Sequence, residues 1–325
     1  MEKKMRKLYD QMLENINNNK EMSEFEKCKI MEEMLKMSEN KANILITGAT
    51  GSGKSSTINA LFGIEKAEVG TGVDPQTMSI AKYDYNGITL WDSPGLGDGP
   101  EADKRHAEGI IKKLTERDAD GNFLIDVVLV ILDGSSRDLG TSFELIEKVI
   151  APCIGKNDKR LLVAINQADI AMKGKHWDSE NHKPDETLAA FLKEKEKSVH
   201  ERILNGCGIS VDPISYSAGY KEDGCPQEPS YNMAKLLYYI IDSIPEEKRL
   251  QTYLEANADQ KVWESNDAED YAVKIQEKLG WKHTLKSTVE GATLGAAIGS
   301  VIPVIGKPAG AVIGGIIGFI GSFFD

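Results

Sequence analysis

Residues Asn43 to Gly63 read NILITGATGSGKSSTINALFG: an apolar run, a glycine-rich turn with one lysine, then a helix-forming stretch. Within it GATGSGKS, Gly48 to Ser55, satisfies G-x-x-x-x-G-K-[ST]. Set after a strand and before a helix, this pattern makes a phosphate cradle, because the loop N–H groups and the helix N-terminus face one anion together. Gly48, Gly51 and Gly53 let the backbone wrap close to phosphate oxygens, and Ser52 and Ser56 belong to the same cradle. Lys54 reaches the β and γ phosphates, and the Ser55 hydroxyl is a ligand for Mg²⁺. The bland alternative is a strand-to-helix turn with an incidental lysine. The correct flanks on both sides weigh against it.

Outward from this stretch, strand-like and helical runs alternate. ILIT, MSIAKYDY, ITLWD, FLIDVVLVIL, RLLVAIN and VDPISYS read as strands, with helices expected around 55–62, 101–117, 141–150, 186–204 and 230–243. Short apolar runs between helices indicate an α/β fold whose sheet is mostly parallel and covered on both faces. DYNGITL is the exception, since Asn86-Gly87 between two strand-like runs signals a hairpin and one antiparallel pair. Four segments result: a helical N-terminal segment, 1–40; the α/β domain, 41–245, closed by Pro245; a charged helical region, 246–290; and a glycine-rich hydrophobic hairpin, 291–325. In the first, Met5, Leu8, Met12, Ile16, Ile30, Met34 and Leu35 have amphipathic spacing. In the third, Tyr253, Trp263, Tyr271, Ile275 and Leu279 are the expected packing residues.

A phosphate loop leaves the base open, and LLVAINQAD narrows it. Asp169, in an Asn-x-x-Asp segment at the end of a buried strand, offers a carboxylate to the guanine N1–H and exocyclic amine, where adenine has no matching donors. Asn166 braces the loops around the base. In ISYSAG, Ser217 and the Ala218 N–H support the guanine oxygen. Two further stretches sense the γ phosphate. In WDSPGLGDG, Asp92 holds Mg²⁺ through water and the Gly95 N–H meets the phosphate. In GTGVDPQTMSI, a threonine just before the antiparallel strand ligates Mg²⁺, which favours Thr77 over Thr71. Contacts made only when the γ phosphate is present turn a binding site into a switch.

In this order GATGSGKS, Thr77, DSPG, NQAD and SAG resemble the five signature elements of the translation-factor-related (TRAFAC) GTPases. The bacterial Era-like G domains are similar, and the phosphate loop also resembles those of septins, chloroplast import-receptor GTPases and immunity-related GTPases. The resemblance implies a Ras-like P-loop G domain over about 40–245 that binds GTP and GDP with Mg²⁺ and hydrolyses GTP. Two positions depart from it: Gln167 stands where most of these families carry lysine, and Leu96 where Ras-like enzymes carry the glutamine that orients water. The phosphate-loop asparagine by which some Era-like relatives recruit potassium is replaced by Gly51. Slow hydrolysis that depends on self-association or a partner follows, with Arg137 of DGSSRDLG as the candidate charge and a G-domain homodimer as one form of it.

The chain has 325 residues, 39 basic against 51 acidic, and a net charge of −12, which gives no support to nucleic acid as a partner. Cys28, Cys153, Cys207 and Cys225 form no CxxC pair, so reduced thiols in a cytoplasmic protein are expected. His176 and His182 read as loop residues rather than metal ligands. From Gly291 to Phe324 the only charge is Lys307, and glycines recur every fourth residue on each side of Pro303. That spacing suits close helix pairs in a membrane. Arms of about 15 to 18 residues are short for a core of about 30 Å, however, so two readings stay open. One is membrane association through 291–324; the other is a hairpin buried on the protein. The competing working role is a nucleotide-gated membrane-inserting or interaction protein in which hydrolysis is incidental.

Overall fold

The computed structural model describes residues 7–37, 39–63, 80–97, 99–155, 157–219, 229–279 and 301–306. Thr71, Thr77, Cys225 and most of the glycine-rich tail lie outside these.

Two helices come first, α1 (Leu8–Asn18) and α2 (Glu24–Met37). Their amphipathic spacing buries Leu8, Met12, Ile16, Ile30 and Met34, whereas Leu35 faces outward at 69% exposure. Strand β1 (Ala42–Gly48) leads through the glycine-rich turn into α3 (Lys54–Phe62). Next come β2 (Ala81–Asp84), β3 (Ile88–Asp92), α4 (Pro100–Thr115) and β4 (Val127–Asp133). A helical run follows, α5 (Gly140–Leu145), a π turn over Ile146–Ile150, and α6 (Ala151–Ile154), before β5 (Leu161–Asn166). A small ladder, β6 (Trp177–Asp178) with β7 (Lys183–Pro184), precedes α7 (Glu186–Cys207). Asp185 caps α7 through the Leu188 N–H, and Gly208 closes it in the left-handed region. Strand β8 (Ile214–Ser215) and α8 (Met233–Ser243) complete the pattern.

The sheet order is β2-β3-β1-β4-β5-β8, with every pairing parallel except β2 with β3. This is the expected α/β fold of Ras-like P-loop type. Alternation along β1 explains its two faces: Ile44 and Ile46 join the core under α1, α3 and α8, while Leu45 joins the core under α4, α5 and α7. The hairpin also forms, for a different reason than the dipeptide suggests. Neither Asn86 nor Gly87 adopts positive φ. A Cβ on Gly87 would instead lie 2.4 Å from the Gln251 carbonyl oxygen, so the glycine permits close packing rather than a mirror-image turn.

Gln251 belongs to α9 (Glu246–Leu254), followed by α10 (Lys261–Glu264) and α11 (Tyr271–Lys278). Tyr253, Trp263, Tyr271, Ile275 and Leu279 are all buried in the same core as α1 and β1. Asn257 carries two of the joints: its N–H donates to Leu61 O at 2.8 Å and its amide to Ala60 O at 3.2 Å, satisfying carbonyls at the end of α3. Among the described residues no helix is long and apolar enough to cross a membrane.

Candidate nucleotide site

The glycine-rich turn and the carboxyl ends of β3, β4, β5 and β8 meet at one edge of the sheet, where ligands bind in parallel α/β folds. Gly53 sits at φ +87 immediately before α3, and a Cβ there would come within 2.1 Å of Asn166 Nδ2. Only glycine fits between the loop and that amide. The Lys54 ammonium bonds the loop's own carbonyls, Gly48 O at 3.1 Å and Ala49 O at 3.0 Å, and so lies along the cradle. Ser55 and Ser56 begin α3, half-buried.

Asn166 is the joint of the loops that flank the glycine-rich turn. Its amide donates to Ser52 O and its Oδ1 accepts from the Ala218 N–H, both at 3.0 Å. Its carbonyl accepts from the Gly134 N–H at 2.7 Å. One side chain and its backbone thus hold three loops. The Ala218 N–H, expected to support a base oxygen, donates to Asn166 Oδ1 in this structure. Ser217 is buried and accepts from the Gly219 N–H at 3.3 Å. Gln167, at φ +64, donates its amide to Gly51 O at 2.9 Å and accepts from the Ser135 hydroxyl at 3.3 Å. It thus links the end of β5 to the glycine-rich turn. Asp169 is half-buried two residues on.

Three contributors escaped the sequence reading. Tyr216, fully buried in ISYSAG, meets Thr57 Oγ1 at 2.7 Å, and Thr57 donates onward to Gly53 O at 2.8 Å. Burial holds the tyrosine well above its ordinary pKa, so it remains a neutral donor. Lys195, on α7, bonds Gly134 O and Ser136 O and thereby holds DGSSRDLG; burial lowers its pKa. His106 is the third. A tyrosine in a run that otherwise ends in small residues was the available signal for Tyr216, and the i, i+4, i+8 stripe with Ile110 and Leu114 was the one for His106; Lys195 is set by long-range contacts alone.

Asp92 ends β3 opposite Ile46 of β1, and Ser93 beside it bonds Thr47 Oγ1 at 2.8 Å. Gly95 packs against Thr50, and Leu96 is buried among the aliphatics under α4. Arg137 is exposed on the loop that Lys195 holds. Thr77 falls outside the described residues. The donors proposed for a metal, Ser55 and Asp92, are hard oxygens in small number, a set that suits Mg²⁺, which keeps several waters and takes phosphate oxygens.

Residues 9–113, about a third of the chain, match the sequence profile of the Interferon-inducible GTPase (IIGP) family. Mouse Interferon-inducible GTPase 1 is 48% identical over 61 residues, 17% of this chain and 15% of that protein. Rat Interferon-inducible GTPase 5 is 46% identical over 66 residues, 18% of this chain and 14% of that protein. The matched stretch therefore spans only about one seventh of those relatives. Among solved structures, a probable GTP-binding protein engB aligns at TM-score 0.41 and 18% identity, over 62% of this chain and 98% of that one. Toc33 from Arabidopsis thaliana with Mg²⁺ and GMPPNP aligns at TM-score 0.39 and 18% identity, over 65% and 86%.

Proposed function

We propose that this chain, a P-loop domain of the translation-factor-related GTPase type, binds GTP and GDP with Mg²⁺ and hydrolyses GTP to GDP and phosphate as a slow switch. The observation that carries the reading is the three-way joint at Asn166, which ties the phosphate loop at Ser52, the 134 loop and the 218 loop around one edge that Asp169 also borders. Gln167, at the position where most of the resembled families carry lysine, supports it by donating its amide to Gly51 O. Ser55, Asp92 and Thr77 are the residues that would hold Mg²⁺, which when bound neutralises charge on the β and γ oxygens. Asp169 selects guanine, and the Gly95 N–H responds to the γ phosphate. Leu96 has no group with which to orient water and is buried by its packing, so turnover on the order of 10⁻³ per second is expected without a partner. Arg137, exposed on a held loop, is the charge that a second copy or a partner would use.

The test is competition between GTP and ATP for the full chain and for Asp169→Asn. GTP is expected to win by more than a hundredfold in the first, and the variant to shift toward xanthosine nucleotides; equal competition by ATP would sink the reading. Turnover per molecule should rise with protein concentration, and less so in Arg137→Ala. Fast turnover at high dilution in both would remove the self-association step. Membrane coupling through 291–324 is the finer part of the proposal and rests on the tail composition. Val301, Ile302 and Ile305, near the centre of that tail, bear on it because they are packed into the core.

A further inference from the structure

We infer that His106 sets how readily the site admits a γ phosphate, by holding Gly95 against the phosphate loop. The inference rests on the GTP-binding reading above and concerns a positioning residue, one that acts through Gly95. Beyond Asp92 the chain continues the sheet onto the loop itself: Ala49 pairs with Leu96 in parallel, the Thr50 N–H donates to Leu96 O at 3.0 Å, and the Leu96 N–H reaches Gly48 O at 3.4 Å. Gly95 is pressed onto Thr50 as a result. A Cβ at Gly95 would lie 2.3 Å from Thr50 Oγ1 and 2.7 Å from its N and Cα. Gly95 therefore lies in direct contact with the phosphate loop, and in this reading a γ phosphate that meets the Gly95 N–H draws it back from Thr50, a movement of the kind by which γ-phosphate contacts order switch segments.

What resists that withdrawal is on α4. Its buried stripe is His106, Ile110 and Leu114, an imidazole followed by two aliphatic residues. His106 is 2% exposed, and its Nδ1 lies 3.1 Å from Gly95 O. A carbonyl only accepts, so Nδ1 carries the proton and donates. Nε2 is left as an acceptor, buried and without a partner among the described residues. A buried imidazole with one side unsatisfied costs stability that an aliphatic residue would not, and its one bond falls on the residue that is drawn back. The peptide between Gly95 and Leu96 is consequently gripped at both edges, its carbonyl by His106 and its N–H by Gly48. His106 thus favours the arrangement in which Gly95 lies on Thr50 and biases the site toward the diphosphate.

Equilibrium binding of fluorescent GDP and of fluorescent GMPPNP to the full chain tests this, with Mg²⁺ present. Wild-type binding of both is the control for the underlying reading, and failure there sinks that reading rather than this one. In His106→Leu the ratio of the GMPPNP Kd to the GDP Kd should fall about five- to tenfold, the equivalent of one buried hydrogen bond. His106→Asn, which keeps a donor near the Nδ1 position, should stay within about twofold of wild type. An unchanged ratio in His106→Leu, or an equal fall in both variants, overturns the proposal. A purely structural role would weaken both nucleotides alike and leave the ratio where it was. Should His106→Leu fail to fold, hydrogen exchange on the wild type decides: the Thr50 and Leu96 amides should exchange slowly with GDP and faster with GMPPNP, and equal protection in the two states overturns it.

Discussion

Tyr216 and Thr57 show how much of the site hangs on single atoms. Thr57 Oγ1 spends its proton on Gly53 O, so the Tyr216 hydroxyl must be the donor between them, and a strand end is tied through one hydroxyl pair to the residue that opens α3. Tyr216→Phe removes that donor while Thr57 keeps its bond to Gly53. The expected loss is therefore small, about 1 kcal/mol or a fall in Tm of about 2–4 °C, with weaker nucleotide binding. A calorimetric Tm equal to wild type would show that the pair contributes nothing. The positions of the glycine-rich turn, Gly48 to Ser55, and of Asn166 at the end of β5 were legible in the sequence because the chemistry expected of them requires a local order of residue types. Tyr216 and Lys195 were not, since nothing within a few residues of either announces a partner on another element. Gln167 lies between these cases: its position was legible, and its bond to Gly51, 116 positions away in sequence, was not.

At the scale of elements, periodicity identified the strands and helices well and explained their junctions poorly. β1, β4 and β5 are apolar runs buried on both faces, and such runs have few alternatives. β8, by contrast, is only two residues long, and the stretch expected as one helix over 141–150 contains a π turn. Neither departure has a sequence signature of its own. The Asn86-Gly87 hairpin is the instructive case, right in outcome for the wrong reason. Because Gly87 has ordinary backbone angles, conformational strain predicts that Gly87→Ala is nearly neutral or slightly stabilising. Packing predicts the opposite: the new methyl meets the Gln251 carbonyl oxygen at 2.4 Å and the carbonyl carbon at 2.7 Å, and the Gly87 N–H is held by Glu255 Oε1 at 3.2 Å. Packing should win, at a cost of about 2–3 kcal/mol. Chemical denaturation of Gly87→Ala reads this directly, and a midpoint at or above wild type would refute the close approach of α9.

For the whole molecule, the central question is what the glycine-rich tail is attached to. Val301, Ile302 and Ile305 are buried in the core that joins α1, β1 and α8, and the turn is gripped by polar contacts as well. Asn15 donates to Val301 O at 3.0 Å. The Tyr253 hydroxyl donates to Pro303 O at 2.9 Å and accepts from the Ile305 N–H at 3.1 Å and from Gln276 at 3.0 Å. Moving the turn into a bilayer would replace the aliphatic contacts with lipid at little cost, but it would take from Tyr253 its bonds to Pro303 O and the Ile305 N–H, and from Asn15 its bond to Val301 O. Those polar contacts, not the hydrophobic ones, set the barrier to release. Tyr253→Phe separates the two contributions. It deletes one hydroxyl, as Tyr216→Phe does, yet it leaves one acceptor and two donors unpartnered in a dry interior, so the expected cost is about 3 kcal/mol and a fall in Tm of about 6–12 °C. If tail release is what brings the chain to a membrane, the same variant should float with anionic liposomes more than wild type does, at a temperature where both remain folded. Equal flotation of the two, with Tm lowered as expected, would leave the turn a structural plug and confine any membrane contact to other surfaces.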